Sequence, residues 1–244
     1  MGCGCSARTC PICGRVSIST DGFVRKRKSE VFNKIQPLDT IFFRTSQIDS
    51  AIIRKVQGSA LGHGEFSHVA IVVNSSIMPI IELGGKIIPG KLYVLETTLD
   101  KTTPDVITGK YMTGVQVREL SSLIDEYSKF PGAIVAWGKL KNNPLLERPS
   151  DLCQLAVKLT EYYFKVLHKS YELSLHLFLA VLANPTKQAE DDTYFCSELV
   201  AGVYQAAGLF PPLLDSETIA PVELLCNTQA ISPRFEQPIV LVPD

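Results

Sequence analysis

Ser67-His-Val-Ala-Ile-Val-Val73 is the most strand-like stretch of the chain. It is rich in β-branched residues and is entered from a glycine-containing loop, Gly62-His-Gly-Glu-Phe66. Upstream, Asp39-Thr-Ile-Phe-Phe-Arg44 reads as another strand. Between the two, Ile48 to Leu61 places Ile52, Val56 and Ala60 on one stripe and reads as a helix. Further strands are expected at Ile77 to Leu83, Lys91 to Thr97 and Val115 to Glu119.

After Ser121 the pattern turns helical. Leu123-Ile-Asp-Glu-Tyr127 reads as a short helix, Ala133 to Leu140 as a strand or extended arm, and Asn142-Asn-Pro144 as a break. Ser150 can cap a helix running to about His168, with Leu152, Ala156, Leu159 and Tyr163 on its apolar stripe. Tyr171 to Ala183 reads as a second, more apolar helix, too short to cross a bilayer. Tyr194-Phe-Cys-Ser-Glu-Leu-Val200 then opens a helix whose broad face carries Leu199, Val200, Val203, Tyr204 and Ala207 and which stops at Gly208. Ser216 to Cys226 holds a short helix, and Pro238-Ile-Val-Leu-Val-Pro243 is a final edge or closing strand. Strands followed by helices make the chain α+β, and no internal repeat is present.

Cys196 stands at the start of one of these helices, where unsatisfied N–H groups and the helix dipole favour thiolate over thiol. Against that, free cysteine is among the most buried residue types and commonly only fills space. His68, at the start of its strand, is a candidate to take the thiol proton and later protonate a leaving group; a histidine satisfied by packing is the alternative. Glu96 interrupts the apolar strand Tyr93-Val-Leu-Glu96, so its carboxylate either reaches solvent at an edge or orients the second nitrogen of His68. His63 lies among glycines, and His168 and His176 need be no more than helix residues.

The first 13 residues, MGCGCSARTCPIC, hold four of the seven cysteines. No apolar signal region is present, which points to a reducing compartment. Gly2 with Ser6 matches the N-myristoylation pattern, and Cys3 and Cys5 stand where palmitate would supply a second hydrophobic signal. Arg8, Arg15 and the run Arg25-Lys-Arg-Lys28 add a basic patch suited to an anionic leaflet. The rivals are a zinc site built on Cys10-Pro-Ile-Cys13 with Cys3 and Cys5, compressed for a structural zinc knuckle pair, and an unmodified tail. On this reading residues 1–30 form a flexible, acylated basic tail and residues 31–244 one domain with a helical insertion at about 141–190. The chain is then a lipoprotein carrying myristate and palmitate, with a membrane surface as partner. It sits at the cytoplasmic face of a membrane, or in the cytoplasm if the N-terminus is unmodified.

A length of 244 residues, 45% of them hydrophobic, suits one domain and excludes a disordered chain. Twenty-four Lys plus Arg against 25 Asp plus Glu leave a net charge of -1 and no global field for nucleic acid. No cofactor or resident metal is expected in the body of the chain.

Six segments together resemble one family. They are Pro37-Leu-Asp-Thr-Ile-Phe-Phe43, Phe66-Ser-His-Val-Ala-Ile-Val-Val73, Tyr93-Val-Leu-Glu-Thr97, Gly114-Val-Gln-Val-Arg118, Lys169-Ser-Tyr-Glu172 and Tyr194-Phe-Cys-Ser-Glu-Leu-Val200. Over about residues 35 to 210 they look like the circularly permuted papain-like enzymes of the NlpC/P60 superfamily, particularly the YiiX-like branch. The resemblance implies a permuted papain-like fold with a small antiparallel sheet packed against helices. It also implies a thiol protease or related hydrolase with Cys196 as nucleophile, His68 as base and Glu96 as orienter. Tyr171 and Arg118 become candidates to line or brace the cleft. Two departures stand out: Leu38-Asp39 replaces the usual Gly-Asp, and Tyr171-Glu172 the frequent Tyr-Asp. Related branches resemble peptidases, amidases and lecithin:retinol-type acyltransferases, so the expected substrate is an amide, ester or thioester, with a lipid or lipidated peptide favoured by the anchor. The alternative is a catalytically inactive papain-like adaptor held at the membrane.

Overall fold

A strand buried on both faces must be apolar on both, and then only polar interruptions distinguish its positions. That is the situation here. In a computed structural model of the chain, residues 7–9, 16–18, 23–44, 66–84, 88, 90–100, 102–167, 169–171, 193–214, 216, 219, 221–225 and 235–244 are described. Two three-residue strands, β1 (Ala7–Thr9) and β2 (Val16–Ile18), pair with each other. The main sheet comprises β3 (Val24–Arg27), β4 (Thr40–Arg44), β5 (His68–Val73), β6 (Tyr93–Thr98), β7 (Gly114–Glu119), β8 (Ile134–Gly138) and β11 (Ile239–Val242). Its order is β3-β11-β8-β4-β5-β6-β7, with β3 and β11 parallel and every other pair antiparallel.

Helices cover both sides. The described helices are α1 (Lys28–Val31), α2 (Leu120–Tyr127), α3 (Pro144–Glu147), α4 (Leu152–Val166), α5 (Cys196–Ala206) and α6 (Pro221–Leu225). One face of the sheet sends Phe42, Val69, Ile71, Leu95, Val115 and Val117 into a core shared with Leu155, Leu159 and Tyr163 of α4 and Leu199, Val200, Val203 and Tyr204 of α5. The opposite face sends Ile41, Phe43, Ala70, Val72, Val94 and Val135 against Leu120, Leu123, Ile124 and Tyr127 of α2. Successive residues of β5 alternate between these cores: Val69, Ile71 and Val73 in the first, Ala70 and Val72 in the second.

The fold is a mixed sheet packed against helices, α+β as expected. The sheet is larger than anticipated and not wholly antiparallel, because β3 joins its edge beside β11. The closing strand Ile239–Val242 consequently lies inside the sheet, between β3 and β8. Val24–Arg27, within the expected 1–30 tail, belongs to the sheet. The strand expected at Ile77 to Leu83 is replaced by a turn and a 3-10 segment, Pro79–Gly84. Asn74 decides this: its side chain accepts from the N–H groups of Ser76 and Ile77, its carbonyl accepts from Met78, and Pro79 has no N–H for a ladder. Ser150 does not cap α4; a 3-10 turn, Pro149–Asp151, precedes it and the Ser150 hydroxyl donates to Asp151. Tyr171 starts no helix; it ends the short strand β9 (Ser170–Tyr171), which pairs in parallel with β10 (Thr193–Tyr194). The described part of the expected insertion, including α4, packs directly on the sheet through the first core. The expected helix at Ile48 to Leu61, the loop at 62–65 and the remainder of the expected helix to Ala183 lie outside the described residues.

The turn before β4 locks the two halves of the chain together. Leu38 takes a left-handed backbone, φ +72°, and is fully buried. Its N–H donates to the Val72 carbonyl at 2.8 Å, and its carbonyl accepts from the Tyr204 hydroxyl of α5 at 2.8 Å. Asp39 beside it accepts from the N–H groups of Gln36 and Leu140, each at 2.9 Å, and from the Trp137 indole at 2.8 Å. Burial outweighs these three bonds and raises the Asp39 carboxyl to about 6. A glycine would relieve about 1–2 kcal/mol of left-handed strain here. A buried leucine contributes more, about 3–5 kcal/mol against a truncated side chain. Leu38→Gly should therefore lose about 2 kcal/mol despite its easier backbone, and Asp39→Ala, which strands the buried Trp137 and Leu140 donors and the part-buried Gln36 N–H, should lose about 3 kcal/mol or more. Urea unfolding midpoints measure both; a stabilised Leu38→Gly would mean that backbone strain dominates the turn.

Candidate functional site

Nine consecutive residues of α5, Cys196 to Tyr204, are buried, so the helix is held along its length and its first turn has a set position. The Phe195 N–H donates to Glu198 Oε2 at 3.2 Å, half of a capping box that satisfies one of the free N-terminal groups. Gly202 lets α4 cross closely: a Cβ there would land on the Tyr162 hydroxyl, which itself donates to the Leu199 carbonyl at 3.4 Å. Packed on β5 and β6, the helix brings Cys196 to the start of β5, where His68 stands. Cys196 is 4% exposed and His68 8% exposed.

Two acidic groups act on the His68 ring. Its Nε2 lies 2.6 Å from Glu96 Oε2, and Cys196 is near enough to act on the ring electrostatically. Glu96 is fully buried on β6. Its other oxygen, Oε1, accepts from Arg118 Nη1 at 3.1 Å. Phe43 and Tyr127 hold the imidazole in place, with ring centroids 5.5 and 6.2 Å from it and the Tyr127 ring nearly parallel at 6°. Burial by itself would push the His68 proton off, but Cys196 and Glu96 overcome it, and the imidazole is raised to about 10. These surroundings favour the charged imidazolium form of His68.

Of the three residues that chemistry singles out in the sequence, His68 and Glu96 are hydrogen-bonded and Cys196 lies near the His68 ring. Arg118 is 1% exposed and lies behind Glu96, away from Cys196. Tyr171 falls on β9, and its side chain is outside the described residues, as are Gly2, Cys3 and Cys5. Sequence reasoning did not pick out Phe43 and Tyr127, because aromatic contacts between a strand and a following helix leave no local pattern. The second-face polar pair Gln116 and Arg118 was legible in principle, as two polar residues at alternate positions of an apolar strand. Among the described residues no group of three or more His, Cys, Asp or Glu could hold a metal ion. The described free cysteines are buried Cys196 and exposed Cys153.

The membrane assignment needs correction. Among the described residues no helix is long and apolar enough to cross a membrane, and the segment carrying the acylation pattern is not described. The expected myristate- and palmitate-bearing lipoprotein is not retained.

No protein-family model matches the chain, and no curated protein matches it. Among solved structures, the metalloprotein yiiX from Escherichia coli O157:H7, of the DUF1105 group, resembles it with a TM-score of 0.41 and 20% identity. That match covers 70% of this chain and 66% of the other, so the chain spans just under two thirds of that protein. The likeness is weak and concerns fold alone.

Proposed function

We propose that the chain is a cysteine-nucleophile hydrolase or acyltransferase acting on an amide, ester or thioester carbonyl. The observation that carries the proposal is the His68 ring bonded at 2.6 Å to Glu96 with Cys196 near enough to act on it. A thiol at a helix N-terminus beside an imidazolium is an activated nucleophile, and a carboxylate on one ring nitrogen fixes the tautomer.

In the proposed reaction the Cys196 sulfur attacks the carbonyl carbon, forming the S–C bond as the carbonyl electron pair moves onto oxygen. The Cys196 backbone N–H is the donor for that oxyanion. Collapse of the tetrahedral intermediate breaks the bond to the leaving group, which takes the His68 proton as it departs. Neutral His68 then removes a proton from water or another acceptor, whose oxygen, nitrogen or sulfur adds to the thioester. Cys196 leaves as thiolate and His68 is again protonated. Glu96 moves no proton; it keeps the ring oriented and its positive charge compensated.

An electrophilic carbonyl-type thiol probe, read by peptide mass spectrometry, should label Cys196 in the wild-type protein and no longer label that peptide in Cys196→Ala. His68→Ala should slow labelling about 100-fold or more. Exposed Cys153 serves as an internal control that reacts alike in every variant. Equal labelling rates at Cys196 with and without His68 would sink the mechanism in favour of a catalytically silent module.

The charge state has its own test. Because His68 is raised above its ordinary value to about 10, its positive charge persists through neutral pH and is lost as pH rises through about 10. Iodoacetate, an anion, should alkylate Cys196 faster than neutral iodoacetamide below that pH and lose its advantage above it. In Glu96→Gln, which removes one of the two acidic partners, the crossover should move to lower pH. A wild-type crossover near 6.5 would mean that the ring is not held as an imidazolium.

A further inference from the structure

Behind Glu96 lies a charge cluster with more acid than base. Arg118 Nη1 donates to Glu96 Oε1 at 3.1 Å and to Asp100 Oδ2 at 2.8 Å, and Nη2 donates to Glu126 Oε2 at 3.0 Å. Nη2 also donates to the Thr102 hydroxyl at 3.3 Å, and Nε donates to the Thr103 hydroxyl. One guanidinium therefore serves three carboxylates, drawn from β6, the loop after it and α2. Arg118 and Glu96 are buried, while the Asp100 and Glu126 side chains are 19% and 18% exposed.

If Arg118 met Glu96 alone, a buried pair would neutralise itself, and little of the Glu96 charge would remain to act on His68. Asp100 and Glu126 change that balance. They compensate the guanidinium from its far side, so that the carboxylate facing His68 keeps its negative field while Arg118 still holds its orientation. We propose that Asp100 and Glu126, acting through Arg118, are positioning residues that sustain the imidazolium form of His68 for the Cys196 chemistry. This inference rests on the proposed cysteine mechanism.

The surroundings agree with it. Burial disfavours the charged form of Arg118, yet Glu96 and Asp100 raise it further above its ordinary value. Burial also acts against the Asp100 carboxylate, but the Thr102 N–H and Arg118 hold it below its ordinary value. Glu126, like Asp100, is a partly exposed end of the chain of contacts. Burial and the like charges of Asp100 and Glu96 raise it, with Arg118 and Lys129 opposing. Tyr127, whose ring lies against His68, is pushed well above its ordinary value by burial and by Glu96 and Asp100, and so stays neutral. The titratable and charged groups around His68 are then Cys196 and Glu96, with Arg118, Asp100 and Glu126 behind Glu96.

The test reads the iodoacetate to iodoacetamide rate ratio at Cys196 against pH in the full chain, for wild type, Asp100→Asn, Glu126→Gln and the double variant. Neither substitution removes a group that touches Cys196 or His68. Each should move the alkaline crossover down by about half a pH unit or more, the Coulomb effect of one charge lost at this range, and the double variant should move it further. Arg118→Lys, which keeps the charge and loses the fork, should retain more of the wild-type crossover than Arg118→Met. Circular dichroism and melting curves accompany each variant. A purely structural role would lower melting temperature and leave the crossover unmoved, and unmoved crossovers in folded Asp100→Asn and Glu126→Gln would overturn the inference. If the wild type itself alkylates with the pH profile of an ordinary thiol, the cysteine mechanism fails first, a result distinct from the other.

Discussion

Everything at the site depends on how α5 is docked. Its first nine residues are buried against β5 and β6, and its Tyr204 hydroxyl is anchored to the Leu38 carbonyl on the turn that starts β4. A helix gripped at that many points cannot slide by a residue without breaking close packing, because interiors tolerate little volume change. The Cys196 sulfur therefore arrives at a defined place, beside a histidine more than a hundred residues earlier in the chain. The left-handed Leu38 turn is part of the same device, and the strain it stores is offset by the apolar side chain it buries.

The second constraint is the double burial of the sheet. When both faces are covered, a charged side chain on β5, β6 or β7 has little water to turn to, and leaving it unpaired is costly. His68, Glu96 and Arg118 lie on the same face and solve this for one another. The resulting row runs from the sulfur through imidazole and carboxylate to a guanidinium, and ends in two partly exposed acids. Its order follows from strand order, since β5, β6 and β7 are neighbours in the sheet. Phe43 and Tyr127 close the row against α2 and limit the freedom of the ring.

Several elements were legible because their signals are local. The β-branched run at Ser67 to Val73, the amphipathic start of α2 and the helix beginning at Cys196 each announce themselves within a few residues. Elsewhere a local signal was outcompeted. Ile77 to Leu83 is apolar enough for a strand, yet the Asn74 side chain and Pro79 favour a turn. The basic stretch Val24–Arg27 has the composition of a tail, and only the presence of β11 beside it makes it an edge strand, where positive charges also discourage further pairing.

The sequence by itself determined which groups were chemically unusual: a cysteine opening a helix, a histidine opening a strand, and a glutamate in an apolar strand. These are statements about residue type and local position, and they need no partner. Tertiary structure alone decided that the three meet, that Arg118 braces the carboxylate instead of facing a cleft, and that Asp100 and Glu126 stand behind it. The reason is physical: charge state depends on burial and on neighbours within a few ångströms, and those neighbours come from strands and helices that only the closed sheet brings together.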